Sequence, residues 1–203
     1  MKKTLQYGSA AILTVVILTA ATINGYKVGD KVKDFKLKNI DGKFISLSEF
    51  DDAKGFIVIF TCNQCPYAKA YESRVLALDR MYKEKGYPVI AINPNDPVAV
   101  PDDSFESMVQ NARKKGFTFP YLIDETQQVA RQFGAARTPH VYVLNKATEG
   151  YEVAYIGAID DNTEDAGNVK HTYVEDAVNA LLNGKNVSVP ETKAVGCTIK
   201  WKK

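Results

Sequence analysis

Cysteine is scarce in this sequence: Cys62, Cys65 and Cys197 are the only three in 203 residues. That is far too few for a disulfide-framework domain. Histidine is scarcer still, with two. A C-x-x-C can be half of a tetrahedral zinc site, but zinc needs two more ligands. Only Cys197, His140 and His171 remain to supply them, and no two of these are closely spaced. Structural zinc is therefore the weaker reading of the motif, and neither a metal nor another cofactor is expected. Charge of one sign is also lacking: 26 basic and 24 acidic residues leave a net charge of +2. With no basic face and no base-reading motif, no nucleic-acid partner is expected. The lysines around Trp201 read as a solvated terminus. Internal repeats and linker-like stretches are absent, so one domain is the simplest organisation.

Long apolar runs are missing too, except at the start. Lys2 and Lys3 precede an uncharged stretch, Thr4–Asn24, with its apolar heart at Ala10–Ile23 and small residues at Thr19–Thr22. This is the pattern of a secretory signal peptide. An uncleaved anchor is the alternative, since about 20 apolar residues span a bilayer. Residues 1–24 are thus expected to be an export segment and residues 25–203 the functional domain, located in the periplasm if the source is bacterial. Membrane contact is expected only through that segment. No cysteine follows it, which argues against a lipoprotein anchor.

Beyond residue 24 the sequence alternates strand and helix signals. Asp34–Lys38 and Phe44–Leu47 flank an Asp41-Gly42 turn and read as a β-hairpin. Phe56–Phe60 is apolar at every position, as in a strand buried on both faces. Tyr67, Tyr71, Val75, Leu78 and Tyr82 recur at helical spacing. Strands follow at Val89–Ile92, Phe119–Ile123, Val141–Leu144 and Tyr151–Ile156, with helices from Ser104 to Gly116, over Gln127–Phe133 and over Val174–Leu182. Lys185–Lys203 shows no clear period. The order predicts an α/β fold with a mixed central sheet, flanking helices and an N-terminal hairpin.

The C-x-x-C falls where the strongest strand signal meets the first long helix. A sulfur at a helix N-terminus faces unpaired N–H groups and the positive end of the helix dipole, which favour the thiolate. Cys62 is expected there, exposed, as the attacking sulfur. Cys65, three residues on, is expected to resolve the mixed disulfide. Pro66 suits a first helical turn. Far along the chain, Thr138-Pro139 immediately precedes the strand beginning near His140.

At these residues the chain resembles the thioredoxin superfamily. More closely it is similar to the redoxin branch, the alkyl hydroperoxide reductase/thiol-specific antioxidant group, and its peroxiredoxin-like members. The similar stretches are Phe60–Tyr71, Ala91–Asp96, Phe119–Thr126, Gly157–Asn162 and Val195–Trp201. The resemblance implies a thioredoxin-like fold, a redox pair at Cys62 and Cys65, and a cis-proline at Pro139 that, with Thr138, borders a substrate groove. Peroxiredoxins carry a Thr or Ser three residues before the reactive cysteine. Here Ile59 precedes Cys62 at that spacing and Cys62 itself precedes Cys65, so peroxidase activity is the second expectation. Thioredoxin proper is also departed from: Thr61 precedes Cys62 where a Trp is usual, Asn63-Gln64 replaces Gly-Pro, and Phe56 stands where a buried acid often sits.

Thr61, Arg137, His140 and Cys197 are candidate accessory residues. Arg137 is a candidate charge partner for Cys62 or a substrate, and His140 a candidate for tuning the thiolate. Cys197 reads first as a small apolar residue in a segment packed by Ile199 and Trp201, second as a third redox thiol. Asn93 and Asp96 are candidates for lining the groove. The expected activity is dithiol–disulfide exchange with protein thiols, protein disulfides or a reductase partner outside the cytoplasm. Peroxide reduction is the alternative, and a non-catalytic binding module the second alternative.

Overall fold

The computed structural model describes residues 25–203; the proposed export segment lies outside the described residues. Among the described residues no helix is long and apolar enough to cross a membrane. In chain order the elements are β1 (Lys31–Val32), β2 (Lys36–Asn39), β3 (Phe44–Ser46), β4 (Gly55–Phe60), α1 (Pro66–Tyr82), β5 (Val89–Asn93) and α2 (Phe105–Lys115). They continue with β6 (Tyr121–Ile123), α3 (Gln128–Phe133), β7 (Arg137–Thr138), β8 (His140–Lys146), β9 (Tyr151–Gly157), α4 (Tyr173–Leu182) and β10 (Cys197–Thr198).

The apolar run of β4 accounts for the centre of the architecture. Ile57 and Ile59 point to one face of the sheet, Phe56, Val58 and Phe60 to the other, and all five are completely buried. A strand covered on both faces has no reason to alternate with polar residues. The sheet runs β1-β9-β8-β4-β5-β6-β2-β3. β4, β5 and β6 are parallel, joined by helical crossovers, and both flanks are antiparallel. The predicted hairpin forms as β2 and β3 around Gly42, whose φ of 84° is one glycine adopts without strain, and it extends the β6 edge.

One face of the sheet packs against α1, α2 and α4 through Tyr71, Leu78, Met108, Val174 and Val178. The other face is covered by α3, the N-terminal segment and part of the C-terminal tail, through Phe133, Phe35, Leu47 and Ile199. Phe133 lies edge-on to Phe60 and Tyr142, with ring centroids 5.3 and 5.1 Å apart.

Two expectations change. The tail, which has no readable period, carries β10, and β10 pairs antiparallel with β7 as a separate two-stranded ribbon. The strand expected from Phe119 begins at Tyr121, because Pro120 has no N–H to contribute to the ladder.

Candidate active site

β4 ends at Phe60, and its parallel pairing with β5 is carried one residue further by the Thr61 N–H on the Ile92 carbonyl (2.8 Å). The chain then turns through Cys62–Cys65 before α1 starts. Pro66 occupies the first helical turn, so Cys65, not Cys62, is the N-cap. This moves the helix dipole's positive end onto the second cysteine. Nor is Cys62 exposed: it is 5% accessible and Cys65 4%. Both pack on Ala68, with Cys197 against them.

A buried polar lattice holds the C-x-x-C turn. The Asp103 carboxylate, fully buried, accepts from the Asn63 main-chain N–H (2.7 Å) and from Asn95 Nδ2 (2.7 Å). Asn63 Oδ1 accepts from Tyr121 Oη and Asn111 Nδ2, both at 3.1 Å, and Asn63 Nδ2 donates to the Asp102 carbonyl (2.8 Å). Gln64 Nε2 donates to the Asp102 carboxylate. Asn93 Nδ2 donates to the Asp103 carbonyl (3.3 Å). Phe56 is apolar where the resemblance leads one to look for an acid, yet a buried carboxylate is supplied by Asp103 from the loop after β5.

Thr138 meets both cysteines. Its Oγ1 is 3.3 Å from Cys62 Sγ, and its carbonyl accepts from the Cys65 thiol at 3.0 Å. The Thr138–Pro139 peptide bond is cis. On the far side of Cys65 lies Cys197, their sulfurs 2.6 Å apart. Three free thiols therefore meet, with Cys65 in the middle.

The charges of the sulfurs follow from these neighbours. Cys65 is lowered to about 4 by a hydrogen bond from the Cys62 thiol, helped by the Cys197 thiol and the Ala68 N–H at the helix N-terminus. Cys62 is pushed up, first by that shared hydrogen bond, then by burial and by the Asp103 carboxylate. Cys197 is raised to about 11 by burial and by the hydrogen bond and negative charge of Cys65. These neighbours favour the thiolate at Cys65 over Cys62 and Cys197; in its protonated form Cys65 is the donor to the Thr138 carbonyl.

The accessory candidates divide. Arg137 turns its guanidinium to the Gly196 carbonyl (3.0 Å), beside Cys197 rather than Cys62. His140 Nδ1 faces the Ala136 N–H and the Tyr142 hydroxyl, both at 3.4 Å. Burial lowers its pKa to about 4 and keeps it neutral near pH 7. Thr61 joins through its main chain. Asp96 binds the tail, its N–H donating to the Lys200 carbonyl (2.9 Å). His171 stacks on Tyr173, away from the thiols. Asp160, in the loop after β9, is buried and ion-paired to Arg74 at 2.6 Å. Sequence reasoning missed Asp103, Asn95 and Tyr121; for the first two the signal lay in the asparagine- and aspartate-rich stretch after β5, while Tyr121 opens β6.

A C-x-x-C at the carboxyl end of a central parallel strand, capping a helix and facing a cis X-Pro, defines a thioredoxin-like redox protein. The chain belongs to the AhpC/TSA family, whose model matches residues 28–155, and with it to the thiol-based oxidoreductases. It is 27% identical over 140 residues to the thiol-disulfide oxidoreductase ResA of Halalkalibacterium halodurans, covering 68% of this chain and 74% of that one. It is also similar to the crystal structure of an uncharacterized conserved protein from Geobacillus kaustophilus. That match has a TM-score of 0.81 and 35% identity, and covers 88% of this chain and 94% of the other. A hypothetical protein from Sinorhizobium meliloti aligns with a TM-score of 0.80 and 32% identity over 88% and 97% of the two chains.

Proposed function

We propose that this chain is a thiol–disulfide oxidoreductase that exchanges electrons with protein thiols or disulfides outside the cytoplasm, using Cys62 and Cys65 as its redox pair. The observation that carries the reading is the C-x-x-C turn at the start of α1, with Cys65 as N-cap, Cys62 packed beside it and both sulfurs against Thr138. In the reducing direction the Cys65 thiolate attacks a partner disulfide, forming a mixed disulfide and releasing one partner thiolate. Cys62, having given its proton to solvent, then attacks Cys65 Sγ. The Cys62–Cys65 bond forms, the mixed disulfide breaks, and the second partner sulfur leaves; two electrons have passed to the partner. The oxidising direction is the reverse. This order exchanges the roles expected from sequence, because the helix cap falls on the second cysteine and Asp103 on the first.

The extracytoplasmic setting is supported by the charged and apolar pattern of residues 1–24. The test is insulin-disulfide reduction: Cys65→Ser is expected to lose all turnover above the uncatalysed rate. A Cys65→Ser protein as active as wild type overturns the reading. Peroxide reduction stands second, favoured by one observation: the Thr138 hydroxyl beside Cys62 supplies the polarising group missing at Ile59. Against it, Arg137 is committed to Gly196. Stopped-flow oxidation of the reduced protein by hydrogen peroxide is expected to run at the rate of an ordinary free cysteine.

A further inference from the structure

We propose that Cys197 is a third redox residue and that Cys65 is the shared sulfur of two alternative intramolecular disulfides, Cys62–Cys65 and Cys65–Cys197. The inference rests on the dithiol chemistry proposed above and extends it to the C-terminal tail.

The tail is fastened to the site by contacts that do not involve the Cys197 side chain. β10 pairs with β7, setting Cys197 opposite Thr138 and Thr198 opposite Arg137. Gly196 lies so close to the Thr138 carbonyl that a Cβ there would collide with it. Ile199 is 4% accessible within the apolar cluster around Phe133. The Lys200 N–H donates to Asn95 Oδ1 (2.9 Å), the Lys200 carbonyl accepts from Gln127 Nε2 (2.9 Å), and the Lys202 N–H donates to Gln127 Oε1 (2.8 Å). The backbone on both sides of residue 197 is thus held without help from its sulfur, which packs against Cys62, Cys65 and Ala68. That sulfur lies 2.6 Å from Cys65 Sγ, the middle sulfur of the three.

Accessibility gives the arrangement a purpose. Cys62 and Cys65 are buried and Cys197 is partly exposed, so a bulky partner meets Cys197 first. Starting from the Cys62–Cys65 disulfide, Cys197 gives its proton to solvent and its thiolate attacks Cys65 Sγ. The Cys65–Cys197 bond forms, the Cys62–Cys65 bond breaks, and Cys62 leaves as a thiolate and takes up a proton. No electrons are gained or lost; the disulfide moves one sulfur toward solvent. Burial, the largest influence holding Cys197 protonated, stays in place, but the two that come from Cys65 itself vanish when Cys65 is in a disulfide, and Lys200 and Arg137 then oppose burial alone.

The experiment is oxidation of wild type, Cys62→Ser, Cys62→Ala and Cys65→Ser proteins by one equivalent of diamide. Acid quench, alkylation of remaining thiols and peptide mapping follow. Wild type is expected to yield the Cys62–Cys65 disulfide. Both Cys62 variants are expected to lose both alkylatable thiols and yield a monomeric Cys65–Cys197 cross-link. Cys65→Ser is expected to keep both thiols, which also excludes oxidation of unfolded chain. Cys62 variants that keep their thiols, or only dimerise, beside a wild type that closes Cys62–Cys65 overturn this inference alone. A wild type that forms neither disulfide overturns the dithiol reading as well.

Discussion

Replacing Asp103 by Asn separates the two things this carboxylate does. Both of its oxygens accept hydrogen bonds, from the Asn63 N–H and from Asn95 Nδ2. An amide has one accepting oxygen, so one of these buried donors would face an NH2 group. A buried donor left without a partner costs about 1–3 kcal/mol, which for a domain of this size lowers Tm by about 2–12 °C. The second effect is electrostatic. The negative charge of Asp103 helps push Cys62 up, so removing it lowers the Cys62 pKa. A drop of about one unit corresponds to about 1.4 kcal/mol of relief. The assay is thiolate absorbance against pH in a Cys65→Ser/Cys197→Ser background, where Cys62 is the only thiol and titrates alone. Two results are expected together: a lower Tm and a Cys62 titration moved to lower pH. An unmoved titration would refute the claim that Asp103 acts on Cys62, whatever happened to Tm.

Three further outcomes are expected. His140 falls from 6.5 to about 4 through burial, so the unfolded chain binds a proton that the folded chain does not. The stability contribution is therefore complete above pH 6.5 and lost as pH falls toward 4, by at most about 3 kcal/mol; urea denaturation across that window should show the loss, and a His140→Phe protein should lack it. Gly196→Val collides with the Thr138 carbonyl and should lift the tail, speeding iodoacetamide alkylation of Cys65 about tenfold, equivalent to about 1.4 kcal/mol of weakened docking. A Gly196→Val protein alkylated at the wild-type rate would show that β10 does not shield the thiols. Asn95→Leu removes a donor to Asp103 and the acceptor of the Lys200 N–H, and thermal melting should show a loss of about 2–4 kcal/mol. A melting curve matching wild type would contradict the role given to this side chain.

What the sequence makes legible is what local physics determines. Phe56–Phe60 announces a doubly covered strand because apolar continuity has few other causes. The Asp41-Gly42 turn and the spacing from Tyr71 to Tyr82 are likewise short-range signals. The C-x-x-C and Thr138-Pro139 can be tied together only through the resemblance, yet both lie at the site. The helix cap falls three residues beyond its expected place. Helix α1 starts where Pro66 allows, so the dipole serves Cys65, a distinction that the C-x-x-C spacing does not contain. β10 is illegible because two residues carry no period, and its pairing partner lies about sixty positions away in β7. The role of Asp103 is hidden for a similar reason. An aspartate in a proline-rich loop reads as solvated until the turn it caps is known, and here it is fully buried under Asn63.

The central claim, that Cys62 and Cys65 form a working redox pair, is tested most directly by equilibrating the full chain in glutathione buffers of graded potential and quantifying the Cys62–Cys65 disulfide. A reversible two-electron transition with a midpoint between about −270 and −120 mV, the range of thiol–disulfide exchange proteins, is expected. A disulfide that stays closed below about −300 mV, as structural ones do, or a pair that never closes, would contradict it.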